Sequence, residues 1–229
     1  RRRRLSWISE YQSENEMRLY DYELSGNCYK VRFLLHALNI AYERHSVNFF
    51  PGREHKSDQF LGQVNPLGQI PVLEENGFLL RDAQAILVYL ASRFDKTGSW
   101  YPDDPRQRGE IQIWLATADE ITRTASAARL HDALGYKQFD VEACRAGAHA
   151  VFRVIDDHLS VRQAEGSQWL VGAHPTIADI ACFPYIALAG EGGISTDEYP
   201  ALRQWLWHFR SQPRFVGMAG IMALDLTHH

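Results

Sequence analysis

Ser25-Gly26-Asn27-Cys28 stands where a short apolar run, Arg18–Tyr22, gives way to a segment with helical spacing. The first backbone N–H groups of a helix lack partners inside it, and the positive end of the helix dipole lies there too. Both favour an anion, and a thiolate is an anion. The hydroxyl of Ser25 cannot enter a disulfide, but it can donate a hydrogen bond to the sulfur of another molecule. The simpler role for Ser25, and for Asn27, is to cap the helix. Cys28 falls in the first helical turn and is expected to be a small buried hydrophobe; the competing role is a nucleophile.

Further along come Asn65-Pro66-Leu67-Gly68-Gln69-Ile70-Pro71-Val72-Leu73 and Leu80-Arg81-Asp82-Ala83-Gln84-Ala85-Ile86. In this order the motifs resemble the glutathione S-transferases: a Ser/Tyr/Cys turn near the N-terminus, an NPxGxxPxL segment, and an acidic residue opening a helix. The resemblance runs from about Met17 to Ile221 and points to the bacterial cytosolic type, Ser-using and similar to the nu, theta and beta classes. It implies a thioredoxin-like domain followed by an all-helical domain, with glutathione as co-substrate and a hydrophobic electrophile as second substrate. It also implies a cytoplasmic homodimer serving detoxification.

Under that resemblance Ser25 lowers the pKa of the glutathione thiol. A free cysteine thiol titrates near ~8.5, and lowering it by ~2 units takes roughly 2.7 kcal/mol. A hydrogen bond to a charged partner supplies ~1.5–3 kcal/mol, and a helix N-terminus ~0.3–1. Asn27 matches a Thr-x-Asn turn of the nu-like group and would touch the same sulfur. Ile70, before an expected cis Pro71, would pair by main chain with the cysteinyl residue. Asp82 would take the γ-glutamyl ammonium. Ala83 stands where the family carries Ser, so it offers the carboxylate a backbone N–H but no hydroxyl. His55, Lys56 and Gln69 would address the glycyl carboxylate. The electrophile would lie near the helix holding Trp114, Asp119, Glu120, Arg123 and Arg129, which the sequence does not orient. Glutathione-dependent reduction of a disulfide or peroxide, and ligand binding without catalysis, are the alternatives.

These residues need elements to position them. Strands are expected at Arg18–Tyr22, Tyr42–Val47, Pro71–Glu74 and Phe78–Leu80, the last two joined by an Asn-Gly hairpin. Helices are expected at Asn27–Asn39 and Ala83–Phe94, where apolar residues recur on one face. The fold class is therefore α/β followed by all-α, with a mixed four-stranded sheet. Residues 17–95 form the first domain, 96–108 a linker and 109–225 the helical domain. Residues 1–16 read as a leader outside the fold, and His228-His229 as a tag remnant. In the helical part the expected segments are Glu110–Leu130, Val141–Val161, one within Leu170–Ala189, Tyr199–Arg210 and Arg214–Met222. Thr176 and Asp179 form a capping-box pattern, which assigns Asp179 to structure rather than chemistry.

The bulk numbers exclude several classes. With 45% hydrophobic residues over 229, the chain can bury an ordinary core. A net charge of −4 gives no nucleic-acid footprint. No apolar run approaches the ~18 residues of a membrane span. The three cysteines are scattered, which fits a reducing compartment and gives no metal pattern.

Overall fold

A computed structural model describes residues 16–222. Nearly all of the expected leader, the His pair and the last residues of the expected helical domain lie outside them. The N-terminal half runs β1 (Met17–Asp21), α1 (Gly26–Ala37), β2 (Glu43–Ser46), α2 (Asp58–Gln63), β3 (Val72–Glu75), β4 (Phe78–Arg81) and α3 (Ala83–Phe94). Its sheet has the order β2-β1-β3-β4. β1 pairs parallel to β2, with Leu19 opposite Arg44. It pairs antiparallel to β3, with Leu19 opposite Leu73. The sheet is thus mixed, as a βαβ unit followed by a hairpin requires. At the hairpin, Asn76 and Gly77 take φ of 50° and 81°, the left-handed pair that a two-residue turn demands and these residues tolerate.

α1 and α3 lie against the sheet and each other. Val31, Leu34 and Leu35 of α1 and Ile86, Leu87 and Leu90 of α3 are fully buried with Leu19 and Leu73. Each such side chain contributes roughly 1.5–3 kcal/mol. The opposite face of α1 packs on the helical half. Phe33 approaches Phe209 at 5.0 Å between ring centroids, and Phe209 stacks on Phe183 at 4.1 Å. The hydroxyl of Tyr29 donates to the Val216 carbonyl at 2.7 Å. One apolar core therefore runs through both halves.

The helical half comprises α4 (Pro105–Ile121), a π-helical turn at Thr122–Ser126, α5 (Ala127–Leu134), α6 (Val141–Ala164), α7 (Ile177–Ala187) and α8 (Pro200–Arg210). Three expectations are corrected. The linker ends earlier than residue 108, because Asp104 caps α4 by accepting from the Gln107 N–H at 2.9 Å and Pro105 opens the helix. Residues 110–130 are not one regular helix, since the π turn interrupts them. Residues 214–222 form no helix. They make turns and an isolated antiparallel bridge between Met218 and Ile221, with Gly220 at φ 84°.

Candidate active site

The turn that carries Ser25 is held from both halves. Ser25 caps α1, its Oγ accepting from the Cys28 N–H at 3.2 Å. That bond occupies one lone pair of the hydroxyl and leaves its proton to be donated elsewhere. Just before it, the Leu24 carbonyl accepts from Arg129 Nη1 of α5 at 2.7 Å. Just after it, the Asn27 N–H donates to the Tyr185 hydroxyl of α7 at 3.2 Å. Gly26 is the residue that permits this closeness, since a Cβ there would come within 2.7 Å of the Tyr185 ring.

A cavity of about 500 Å³ opens beside this turn, between the two halves. All eight residues singled out from the sequence line it: Ser25, Asn27, His55, Lys56, Gln69, Ile70, Asp82 and Ala83. The Ile70–Pro71 bond is cis, and so is Phe50–Pro51, which the sequence did not single out. Asn65 secures the loop before Ile70, its Nδ2 donating to the Gln69 carbonyl at 2.9 Å. Asp82 caps α3, its Oδ1 accepting from the Ala85 N–H at 2.9 Å. It does so at φ 77° and ψ 125°, a conformation that costs a side-chain-bearing residue on the order of 1–3 kcal/mol and tends to occur at functional sites.

Two buried polar atoms of the wall have no hydrogen-bond partner, Asn27 Oδ1 and His55 Nδ1. The His55 ring stacks on Phe49 at 4.0 Å between centroids. Burial pushes its pKa down to about 4, helped by the nearby Lys56 and Arg53 charges, so the imidazole is neutral at pH 7. Lys56 Nζ donates to the Leu67 carbonyl at 3.1 Å.

Cys28 does not line the cavity; it is fully buried. Burial pushes its thiol up to about 12, with the Asp21 charge adding to the effect. It is a protonated core residue and no nucleophile. Of the five α4–α5 residues left unoriented by the sequence, Asp119, Arg123 and Arg129 line the cavity, while Trp114 is buried in the core and Glu120 is not among the lining residues but pairs with Arg123 at 2.6 Å.

Several lining residues escaped the sequence reading. Tyr22, Phe49, Leu130, Leu134, Tyr136 and Phe139 give one side of the cavity an apolar, aromatic character, and Tyr185 closes it next to Asn27. They come from four separate segments, and no local pattern marks them. Among the described residues there is no metal-binding cluster of His, Cys, Asp and Glu, and no helix is long and apolar enough to cross a membrane.

Comparison with known proteins agrees with this geometry. Residues 19–98 match the family model for the N-terminal domain of glutathione S-transferases, and residues 115–213 match that for the C-terminal domain. The chain is 30% identical over 195 residues to glutathione S-transferase 1 of Manduca sexta, covering 83% of this chain and 86% of that protein. A glutathione S-transferase of Pseudomonas fluorescens superposes with a TM-score of 0.77 at 30% identity, over 88% of this chain and 98% of the other. Ure2p in complex with glutathione superposes with a TM-score of 0.73 at 26% identity, over 87% and 96%. Two family models in the expected order, on a fold whose cavity gathers the motif residues, lead to one conclusion: the chain belongs to the glutathione S-transferase family.

Proposed function

We propose that the chain is a glutathione transferase that activates the glutathione thiol at Ser25. The observation that carries this reading is the convergence of three features on one cavity: a helix-capping hydroxyl whose proton the cap does not use, the main chain of Ile70 before cis Pro71, and the N-terminus of α3. A tripeptide with two carboxylates, an ammonium and a thiol needs all three. The cavity volume lies within the ~300–1,000 Å³ usual for small-ligand sites.

Glutathione would lie with its γ-glutamyl end at Asp82 and the first N–H groups of α3, where the helix dipole favours a carboxylate. Its cysteinyl backbone would pair with Ile70, and its glycyl carboxylate would meet His55, Lys56 and Gln69. The sulfur would then face Ser25 and Asn27. Ser25 donates to the sulfur and stabilises the thiolate once the thiol proton is lost to solvent. The thiolate forms a C–S bond to an electrophilic carbon held against the aromatic wall. A leaving group departs with the electron pair, or a proton is taken up where the electrophile is an activated double bond. Catalysis rests on thiolate activation and positioning. Glutathione-dependent consumption of an electrophile, lost on Ser25→Ala, tests the reading.

The N-terminal half is assigned to glutathione, and the helical half to the electrophile and to assembly. Phe78 and Leu79 are 52% and 38% exposed on β4, one of the two edge strands of the sheet. Such an edge favours cover by a second copy of the chain. A solution mass by light scattering of twice 26.2 kDa supports the homodimer, and a mass of 26.2 kDa contradicts it. The free thiols of Cys28, Cys144 and Cys182 suit a reducing cytoplasm.

A further inference from the structure

Lys30 lies in α1, five residues beyond Ser25, and is completely buried. Its ammonium donates to Gln84 Oε1 at 3.4 Å and stands 5.6 Å from the centroid of the Tyr185 ring. Among the described residues no carboxylate lies within ion-pair distance of it. Burial pushes its pKa down to about 8, against the fields of Cys182, Asp119 and Asp82, so it remains mostly charged at pH 7. A buried ammonium without an ion pair is costly, and an apolar side chain of similar volume would fill the space without that cost. Packing therefore gives no reason for a charge at this position.

Its contacts do give one. Gln84 directly follows Ala83 at the start of α3, and its Nε2 donates to Asp119 of α4. Gln84 and Asp119 both line the cavity, with Asp82. The amide of Gln84 has two ends, and a free amide can turn over. With the ammonium on Oε1, the Nε2 end must face Asp119. We propose that Lys30 is a positioning residue for the γ-glutamyl end of glutathione, fixing the Gln84 amide so that Asp119 of the helical half is held in the same wall as Asp82, where both carboxylates meet the ligand ammonium. This rests on the glutathione reading above, and it gives the ammonium a second acid that the sequence motif does not contain.

The test is Lys30→Met, which keeps the length of the side chain and removes the charge. Its fold is expected to be at least as stable as that of the wild type, because the desolvation cost disappears. Calorimetry would compare binding of glutathione with that of glutaryl-cysteinylglycine, which lacks the ammonium. Glutathione affinity is expected to fall about tenfold, the effect of one charge-assisted contact, while the glutaryl analogue binds both proteins alike. KM for glutathione should rise with kcat little changed. Gln84→Met, which cuts the same chain without touching Lys30, should give the same selective loss, and adding Lys30→Met to it should cost little more. Equal losses for both ligands would overturn the proposal and make Lys30 a support of the fold. Unchanged binding of both would overturn it as well. If the wild-type protein bound neither ligand, the glutathione reading would fall and this inference with it.

Discussion

Ser25→Ala is expected to lower kcat/KM for glutathione conjugation by about 10- to 100-fold, the loss of one hydrogen bond to a charged partner worth ~1.5–3 kcal/mol. The structure sharpens the reason. The Ser25 oxygen is committed to the Cys28 N–H, so the hydroxyl proton is the part left for the sulfur. Alanine removes the proton and the cap together. Losing the cap costs ~1 kcal/mol, a fall of roughly 2–4 °C in Tm for a chain of this size, too small to explain the kinetic effect. The pH profile separates the two. Thiolate stabilisation lowers the thiol pKa, so its loss must raise it. The acid limb of kcat/KM should move up by about 1–2 units, with glutathione affinity little changed. An unmoved acid limb with wild-type turnover would show that Ser25 is only a cap.

Asp179→Ala is expected to act on the fold and not on the chemistry. Asp179 is fully buried. One oxygen accepts from the Thr176 N–H at 2.9 Å, and the other from the Leu170 N–H at 3.1 Å and Trp205 Nε1 at 2.9 Å. The Thr176 hydroxyl accepts from the Ala178 N–H at 3.2 Å, so this end of α7 is capped from both sides. Burial pushes the Asp179 carboxyl up to about 6 against the pull of these donors, leaving it ionised at pH 7. Removing it strands three buried N–H donors, two on the α6–α7 connection and one on α8, each costing ~1–3 kcal/mol. A net loss of about 4 kcal/mol, or on the order of 10 °C in Tm, should follow. Thermal unfolding measures it. A shift within about 2 °C would mean that the capping network is not what holds α7 in place. Asp179 does not line the cavity, so turnover per folded molecule should be unchanged.

How much of this was readable in the chain depends on whether the cause was local. α3 has the bounds the sequence implied, because an acidic cap and an apolar stripe coincide at Asp82–Phe94. The hairpin was readable because Asn76-Gly77 has few alternatives. The start of α4 is ambiguous in the sequence because Pro-Asp-Asp-Pro looks like a breaker, although Asp104-Pro105 is also a cap followed by a proline in the first turn. Residues 214–222 carry apolar side chains at helical spacing. Gly217 and Gly220 weaken a helix there, and tertiary contacts decide the outcome: Phe215 packs between Phe33 and Phe183, and Val216 receives the Tyr29 hydroxyl.

In the site, the residues on motifs are visible in the sequence, whereas Tyr22 and Phe49 of the first half and most of the wall from the second half carry no local pattern. The π turn at Thr122–Ser126 puts Thr122, Arg123 and Ser126 on the cavity wall. It coincides with Thr122 and Thr124 bonding back to carbonyls four residues earlier, and π turns are common at functional sites. Lys30 was hidden for the opposite reason. A lysine in a helix reads as exposed, and only the packing of α1 between the sheet and α7 shows it buried.

Glutathione binding by calorimetry, wild type beside Ala83→Ser, tests the central claim most directly. Ala83 is 4% exposed at the head of α3, and a hydroxyl there would add a hydrogen bond to the γ-glutamyl carboxylate worth ~1.5–3 kcal/mol. The account predicts that the wild-type chain binds glutathione and that Ala83→Ser binds it at least about tenfold more tightly. No wild-type binding at millimolar glutathione, restored by the serine, would contradict the account and leave a protein with the transferase fold that has given up its usual ligand.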